Sequence, residues 1–222
     1  TASKIGDKTK RDKLFMVILD DVRRMNRLVS DISEASRLDS ELNRSEYNII
    51  DVKQLVSIFF DISVSAERFT SEKLNIIVED TGLQYLVHAN ENRLMQVVRN
   101  LVDNADTFSP EDKPITIRCK SDQHSVYIIV EDEGGGIPDP KLKTIFDRFY
   151  TERPSTERFG THSGLGLSIC KQIVEAHYGN IWAENIYSIT EYTIGAKLII
   201  ALPKAKAFNM TNINLGRENL ES

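Results

Sequence analysis

The chain has 222 residues, 41% of them apolar and 27% charged, an ordinary composition for a globular protein large enough to bury its own core. Its formal net charge of −5 gives no electrostatic reason to expect nucleic acid or an anionic membrane as partner. No apolar run approaches the ~18 residues a membrane helix needs. The two cysteines, Cys119 and Cys170, have no metal-ligand spacing and fit a reducing compartment where both remain thiols. The first residue is Thr1, and no leader pattern follows it. A piece of a longer protein is therefore expected.

The first predicted element is a long helix over 8–39, a stretch free of Gly and Pro. Positions 14, 18, 21, 25, 28, 32 and 35 fall at alternating steps of four and three, and Phe15, Val22 and Val29 widen the stripe. An average step of 3.5 residues argues for a bundle or coiled-coil helix, although an amphipathic helix lying on its own domain has the same pattern. Such a helix cannot stay folded alone in water. The polar stretch 39–46 reads as a connector.

Beyond it, strands are predicted at 47–52, 74–79, 85–88, 115–120, 126–131, 181–185 and 196–202, rich in Ile, Val and Tyr. Helices are predicted at 52–68, 90–108, 140–146 and 165–178, the last closed by Gly179 at its C′ position. Adjacent strands without an intervening helix indicate an α+β class, with helices on one face of a mostly antiparallel sheet. The segment 204–222 is polar and aperiodic and reads as a tail.

Three constellations carry chemistry. On the helix 90–108, Gln96, Asn100 and Asn104 recur at i, i+4 and i+8, with Asp103 and Thr107 beside them, opposite an apolar face. A solvated outer face explains this pattern too. Asn is nonetheless a poor helix former, and a carboxamide oxygen is a neutral hard ligand suited to Mg²⁺ already bound to phosphates. Next, Asp132-Glu133-Gly134-Gly135-Gly136-Ile137-Pro138 follows a strand directly. A carboxylate there, followed by three glycines, admits a flat ligand close to the backbone; a flexible hairpin loop is the plainer account. Last, Gly160-Thr161-His162-Ser163-Gly164-Leu165-Gly166-Leu167 runs into a helix whose N-terminus offers N–H groups to an anion, or else is a tight glycine turn. No P-loop, GxGxxG or protein-kinase HRDxxxxN pattern occurs.

In order and spacing, 96–109, 132–138, 146–150 and 160–167 resemble the N, G1, F and G2 boxes of bacterial sensor histidine kinases. These belong to the Bergerat group of ATP-binding proteins (gyrase, Hsp90, histidine kinase, MutL). The resemblance covers about residues 8 to 203, and 150–166 and 173–185 look like the ChvG/ExoS-type sensor kinases of alphaproteobacteria. It implies a two-layer α/β sandwich, helices on one face of a mixed sheet, preceded by one long bundle helix. Residues 1–46 would be the second helix of the dimerisation and phosphotransfer hairpin, 47–203 the catalytic ATP-binding domain, and 204–222 the tail. By the same resemblance the cofactors are ATP and Mg²⁺. Asp132 would accept the adenine amino group, and Gly134, Gly136 and Ile137 would frame the base. Asn100 would hold the metal, Asn104 would meet the phosphates, and Phe108 and Tyr150 would flank the nucleotide. Gly164, Leu165, Gly166 and Leu167 would close the phosphate side, with a mobile ATP lid before them carrying Arg153 and Arg158.

Departures from the family pattern are informative. Thr107 stands where many members have a phosphate-binding Lys, so that contact is absent or falls to Arg148, Arg153 or Arg158. His162 replaces a common Gly, and Gly195-Ala196-Lys197-Leu198 is a poor copy of Gly-Thr-Thr-Phe. No His-Glu-Leu-(Lys/Arg)-(Asn/Thr)-Pro phosphoacceptor motif occurs, and His88, His124, His162 and His177 are not placed to substitute for it. The expectation is thus a kinase domain acting on a histidine of a helix outside this chain, for relay to a response regulator. The full-length protein is expected to form homodimers through the hairpin, with this part cytoplasmic and membrane attachment through missing N-terminal segments. Two rivals are a hydrolase of the same superfamily and a degenerate interaction module without nucleotide. The hydrolases use a Glu where this chain has Gln96, and an amide cannot take a proton from water.

Overall fold

The computed structural model describes residues 46–80, 82–150 and 164–205, together with a few helical positions between 11 and 29. The remainder of the predicted N-terminal helix, the segment 151–163 with His162, Arg153 and Arg158, and the tail from 206 lie outside the described residues. Where described, Leu14, Phe15, Ile18, Val22, Met25 and Val29 are helical, and their side chains are exposed.

The order is β1 (Asn48–Asp51), α1 (Val52–Ser65), β2 (Leu74–Val78), β3 (Leu86–Ala89), α2 (Glu91–Phe108), β4 (Ile115–Ser121), β5 (Ser125–Glu131), α3 (Gly166–Ala176), β6 (Asn180–Tyr187) and β7 (Thr193–Pro203). Strands β2-β4-β5-β7-β6 form a five-stranded sheet, and β1 pairs with β3 in a separate antiparallel ribbon. The predicted α+β sandwich is present, with one refinement. β2 runs parallel to β4 while the other pairs are antiparallel, because β3 and α2 lie between β2 and β4 and carry the chain back across the sheet.

Period-two alternation sorts the sheet into two faces. Ile115, Ile117, Cys119, Val126, Ile128, Val130, Leu198, Ile200 and Leu202 point to the helices and are buried. They meet Leu94, Val97, Val98, Leu101, Val102 and Ala105 of α2 and Ile169, Ile173 and Val174 of α3 in one core. Both cysteines are buried free thiols, pushed up to about 12 by desolvation. The outer face carries Trp182, Ile199 and Ile129 in one row across three strands. Beside it, Lys197 meets Glu184 at 2.8 Å and Arg118 meets Glu131 at 3.1 Å. The first of these, at the more accessible Glu184, is of the surface kind that contributes ~0–1 kcal/mol.

Helix ends explain two differences from the predicted pattern. The 140–146 stretch is not one helix but two single 3₁₀ turns, Asp139–Lys141 and Thr144–Phe146, too short to build an i→i−4 ladder. At the end of α3 the left-handed residue is Tyr178 (φ +58°) and not Gly179. Gly179 is needed for a different reason: a Cβ there would lie 2.6 Å from the Ala201 carbonyl oxygen on β7. Space, rather than turn geometry, selects the glycine.

Candidate nucleotide site

Asp132 stands at the end of β5 and is nearly fully buried. Its Oδ1 accepts the Gly134 N–H at 2.9 Å and the Ala196 N–H at 3.3 Å. Desolvation raises its pKa above the ordinary carboxylate value, against the lowering by these two donors. Among the described residues nothing donates to Oδ2. The fold thus fixes one carboxylate oxygen and supplies no donor to the other among the described residues.

Two of the glycines after Asp132 are also required by the chain's own packing. A Cβ on Gly134 would lie 2.3 Å from the Phe108 carbonyl oxygen, at the end of α2. One on Gly136, at φ +74°, would lie 2.1 Å from Thr193 Cγ2. Only Gly135 has open space around it. Ile137, half-buried against the core, is held by Asn185 of β6. The carboxamide accepts the Ile137 N–H at 2.7 Å and donates to the Ile137 carbonyl at 2.7 Å.

On α2 the amide stripe divides. Gln96, Asn100 and Asn104 are half-buried, and the Asn100 Nδ2 donates to the Gly166 carbonyl at 3.4 Å, at the start of α3. Gln96 Oε1 accepts from Arg93 at 2.9 Å. Asp103, expected on the same face, instead forms an ion pair with Arg68 in the loop after α1, and burial raises its pKa despite that cation. The Thr107 hydroxyl donates back to the Asp103 carbonyl at 2.8 Å, a bond within the helix. Asp103 and Thr107 therefore secure the helix, while the Gln96–Asn100–Asn104 edge remains.

The other boxes close on this edge. The Phe149 N–H donates to the Gly164 carbonyl at 3.0 Å, with Phe149 at φ +65° and Gly164 at φ +73°, so the segment after the second 3₁₀ turn meets the approach to α3. Tyr150 packs on the core, Phe108 is 37% exposed at the end of α2, and Arg148 is exposed. Leu165 is buried, and Gly166 and Leu167 open α3, whose first N–H groups receive no cap from the side chain of the preceding Leu165. Uncapped N–H groups at a helix start favour an anion.

The four predicted boxes thus meet through direct contacts: α2 with α3 through Asn100 and Gly166, α2 with the loop after β5 through Phe108 and Gly134, and the Phe149 segment with Gly164. Sequence reasoning missed Asn185 and undervalued Gly195, whose Cβ would lie 1.9 Å from the Asp132 carbonyl oxygen. The poor match at 195–198 concealed its signal. The partner of Asp132 there is the backbone of Ala196, for which side-chain identity is immaterial.

A buried carboxylate with one satisfied oxygen, an amide-lined helix edge and an uncapped helix start define a nucleotide-binding α+β domain. The family described as Histidine kinase-, DNA gyrase B-, and HSP90-like ATPase matches residues 89–206, and the chain belongs to that family. It is similar to the sensor protein ChvG of Agrobacterium fabrum, 38% identical over 204 residues, covering 88% of this chain and 34% of the relative. The ChvG of Rhizobium meliloti is 40% identical over 198 residues, covering 87% and 34%. Among solved structures it is similar to the histidine kinase ThkA in complex with the response regulator protein TrrA, with TM-score 0.64 and 25% identity, covering 85% of this chain and 50% of that one. The chain spans about a third of the length of these curated relatives.

Proposed function

We propose that this chain binds Mg-ATP and is the catalytic part of a two-component sensor histidine kinase. The observation that carries the reading is Asp132, whose Oδ1 is held by Gly134 and Ala196 while Oδ2 accepts nothing among the described residues. A 6-amino purine supplies the donor that oxygen lacks. Gly134, Gly136 and Ile137 frame the base, Phe108 and Tyr150 flank the nucleotide, and Asn104 with Gly164, Leu165, Gly166 and Leu167 takes the phosphates.

The residues fit a magnesium ion of the phosphate-held kind. With Nδ2 of Asn100 given to Gly166, its Oδ1 is a hard acceptor with no donor among the described residues, where no group of three or more His, Cys, Asp or Glu stands ready as a protein cage either. When bound, the ion would neutralise charge on the phosphate oxygens. The reaction breaks the bond between the γ-phosphorus and the bridging oxygen, releases ADP, and forms a P–N bond to a histidine imidazole on a helix outside this chain. Gln96 supports transfer over hydrolysis, since its amide oxygen is engaged by Arg93 and cannot serve as a base toward water.

The phosphohistidine would pass its phosphoryl group to an aspartate of a receiver domain; ThkA has been solved with its response regulator. The full-length protein would dimerise through its helical hairpin and work at the cytoplasmic side of the cell membrane. No described helix is long and apolar enough to cross a membrane. Calorimetric titration with ATP and GTP, with and without Mg²⁺, tests the assignment. ATP should bind and gain affinity from Mg²⁺, with GTP at least tenfold weaker because guanine presents an acceptor to Asp132. Equal binding of both nucleotides, or of neither, overturns it.

A further inference from the structure

Asn185 lies in β6, far in sequence from the loop after β5, yet it grips that loop at its distal end. Its Oδ1 accepts the Ile137 N–H and its Nδ2 donates to the Ile137 carbonyl, both at 2.7 Å. The second amide proton reaches the Asp139 carboxylate at 3.2 Å, on which the Tyr187 hydroxyl also converges at 3.5 Å. Across the β6–β7 ladder the register partner of Asn185 is Ala196, the residue whose N–H fixes Oδ1 of Asp132. One rung of the sheet therefore holds both ends of the loop: Ala196 orients the carboxylate and Asn185 sets Ile137. Gly136 lies between them, pressed so closely against Thr193 and Asn185 that it has no room for a Cβ.

We propose that Asn185 is a positioning residue for purine selection: it fixes the distance between the packing surface of Ile137 and the free oxygen of Asp132, so that a base seated on one meets the other in hydrogen-bonding geometry. The proposal rests on the ATP reading above and adds the residue that makes the base contact selective. A carboxamide suits the task because it alone among short side chains donates and accepts side by side, matching a backbone N–H and C=O at once. A 6-amino purine feels both consequences of losing the clamp, a shifted packing surface and a misaligned hydrogen bond. A 6-oxo purine feels only the first, because its oxygen makes no bond to a carboxylate in either case.

The test compares ATP with ITP, which share ribose and phosphates and differ at the purine 6-position (the ring nitrogen beside it follows). Affinities are measured for the wild-type chain, Asn185→Ala and Asn185→Asp. Asn185→Ala should weaken ATP about tenfold and ITP about threefold or less, so that discrimination between the two bases shrinks. Asn185→Asp is nearly isosteric and keeps the acceptor for Ile137 N–H, which preserves the fold if alanine does not. It places an acceptor against the Ile137 carbonyl and Asp139, and should lose ATP affinity at least as strongly as Ala. Parallel losses for ATP and ITP in the folded variants, or no loss in either, overturn the positioning role. Wild-type chain that binds neither nucleotide overturns the ATP reading and this inference together, and so separates the two failures.

Discussion

Ala196 and Asp132 are joined twice: the Asp132 N–H donates to the Ala196 carbonyl at 2.9 Å, and the Ala196 N–H donates to the Asp132 carboxylate at 3.3 Å. Because both donors on the carboxylate engage Oδ1, Asp132→Asn can keep its oxygen there and place the new NH₂ at the Oδ2 position. The fold should survive, with a melting temperature within a few degrees of wild type. ATP affinity should fall by roughly 10- to 150-fold, the equivalent of ~1.5–3 kcal/mol for a lost charge-assisted bond. ITP should lose much less, since its 6-oxygen can accept from the new amide. Undiminished ATP affinity in a folded variant would falsify the assignment of Asp132 to the base.

Much of this site was legible because its parts are contiguous. Asp132 with its glycines, the Gln96–Asn100–Asn104 spacing and the Gly164–Leu167 turn each announce themselves within a few residues. Asn185 does not. Its pairing partner lies 48 residues away in the chain, and in its own strand it is simply a second polar residue after Glu184. The same limit hid the parallel β2–β4 pair, since pairing direction depends on the path between strands and not on their composition. Gly179 was recognisable as a required glycine, but the reason is an approach by Ala201 from another strand, which no local pattern encodes.

Gly195→Ala should be more damaging than its conservative look suggests. The added methyl would lie 1.9 Å from the Asp132 carbonyl oxygen, and backbone on both sides must move. Overpacking of this kind costs ~1–3 kcal/mol, and the displaced atoms are those that orient the carboxylate. The variant should melt several degrees lower and bind ATP at least tenfold more weakly. A crystal structure or titration showing both properties unchanged would exclude the close approach.

The His177 ring is buried, donating Nδ1–H to the Ile173 carbonyl at 2.7 Å and accepting the Asn90 N–H on Nε2 at 3.0 Å. The Tyr47 ring lies 4.9 Å from it and 5.7 Å from the His88 ring, and Tyr178 is its chain neighbour. Desolvation lowers its pKa, and His88 adds to the effect, against the Ile173 bond. Protonation of Nε2 would set two donors against each other. The folded-state pKa therefore lies below the ordinary ~6.5, and this contribution to stability is complete above that value and declines as pH falls below it. Thermal melts from pH 7.5 to 5.5 should show that decline, and His177→Gln should flatten it while costing ~1–3 kcal/mol at neutral pH through the Asn90 N–H. Identical pH profiles for the two proteins would remove His177 as the cause.

Asn100→Ala separates metal binding from helix packing. The Nδ2 contact to Gly166 is long, at 3.4 Å, so its loss should shift the melting temperature only slightly. If Oδ1 ligates magnesium, Mg-ATP affinity should fall tenfold or more, while ATP in EDTA is nearly unaffected. An equal loss under both conditions would make the residue structural.

The last prediction is that this 222-residue chain binds ATP without labelling itself. Transfer needs an imidazole nitrogen in line with the γ-phosphorus and its leaving oxygen. His177 has both ring nitrogens engaged in the core. His88 sits on the two-stranded ribbon beside Tyr47, and His124 lies in the turn joining β4 to β5, on elements that contribute nothing to the proposed phosphate side. His162 lies outside the described residues, in the segment leading to Gly164, and its replacement by Ala removes it as a candidate in the same experiment. Incubation with γ-labelled ATP and Mg²⁺ should leave the chain unlabelled and the nucleotide largely intact, given an amide at Gln96. A longer chain that adds the preceding helix should take up phosphate that is labile in acid and stable in base, the behaviour of a P–N bond. Stoichiometric label on the 222-residue chain, kept in His162→Ala, would place the acceptor on one of its other residues and refute the proposed division of labour between this domain and a separate phosphoacceptor helix.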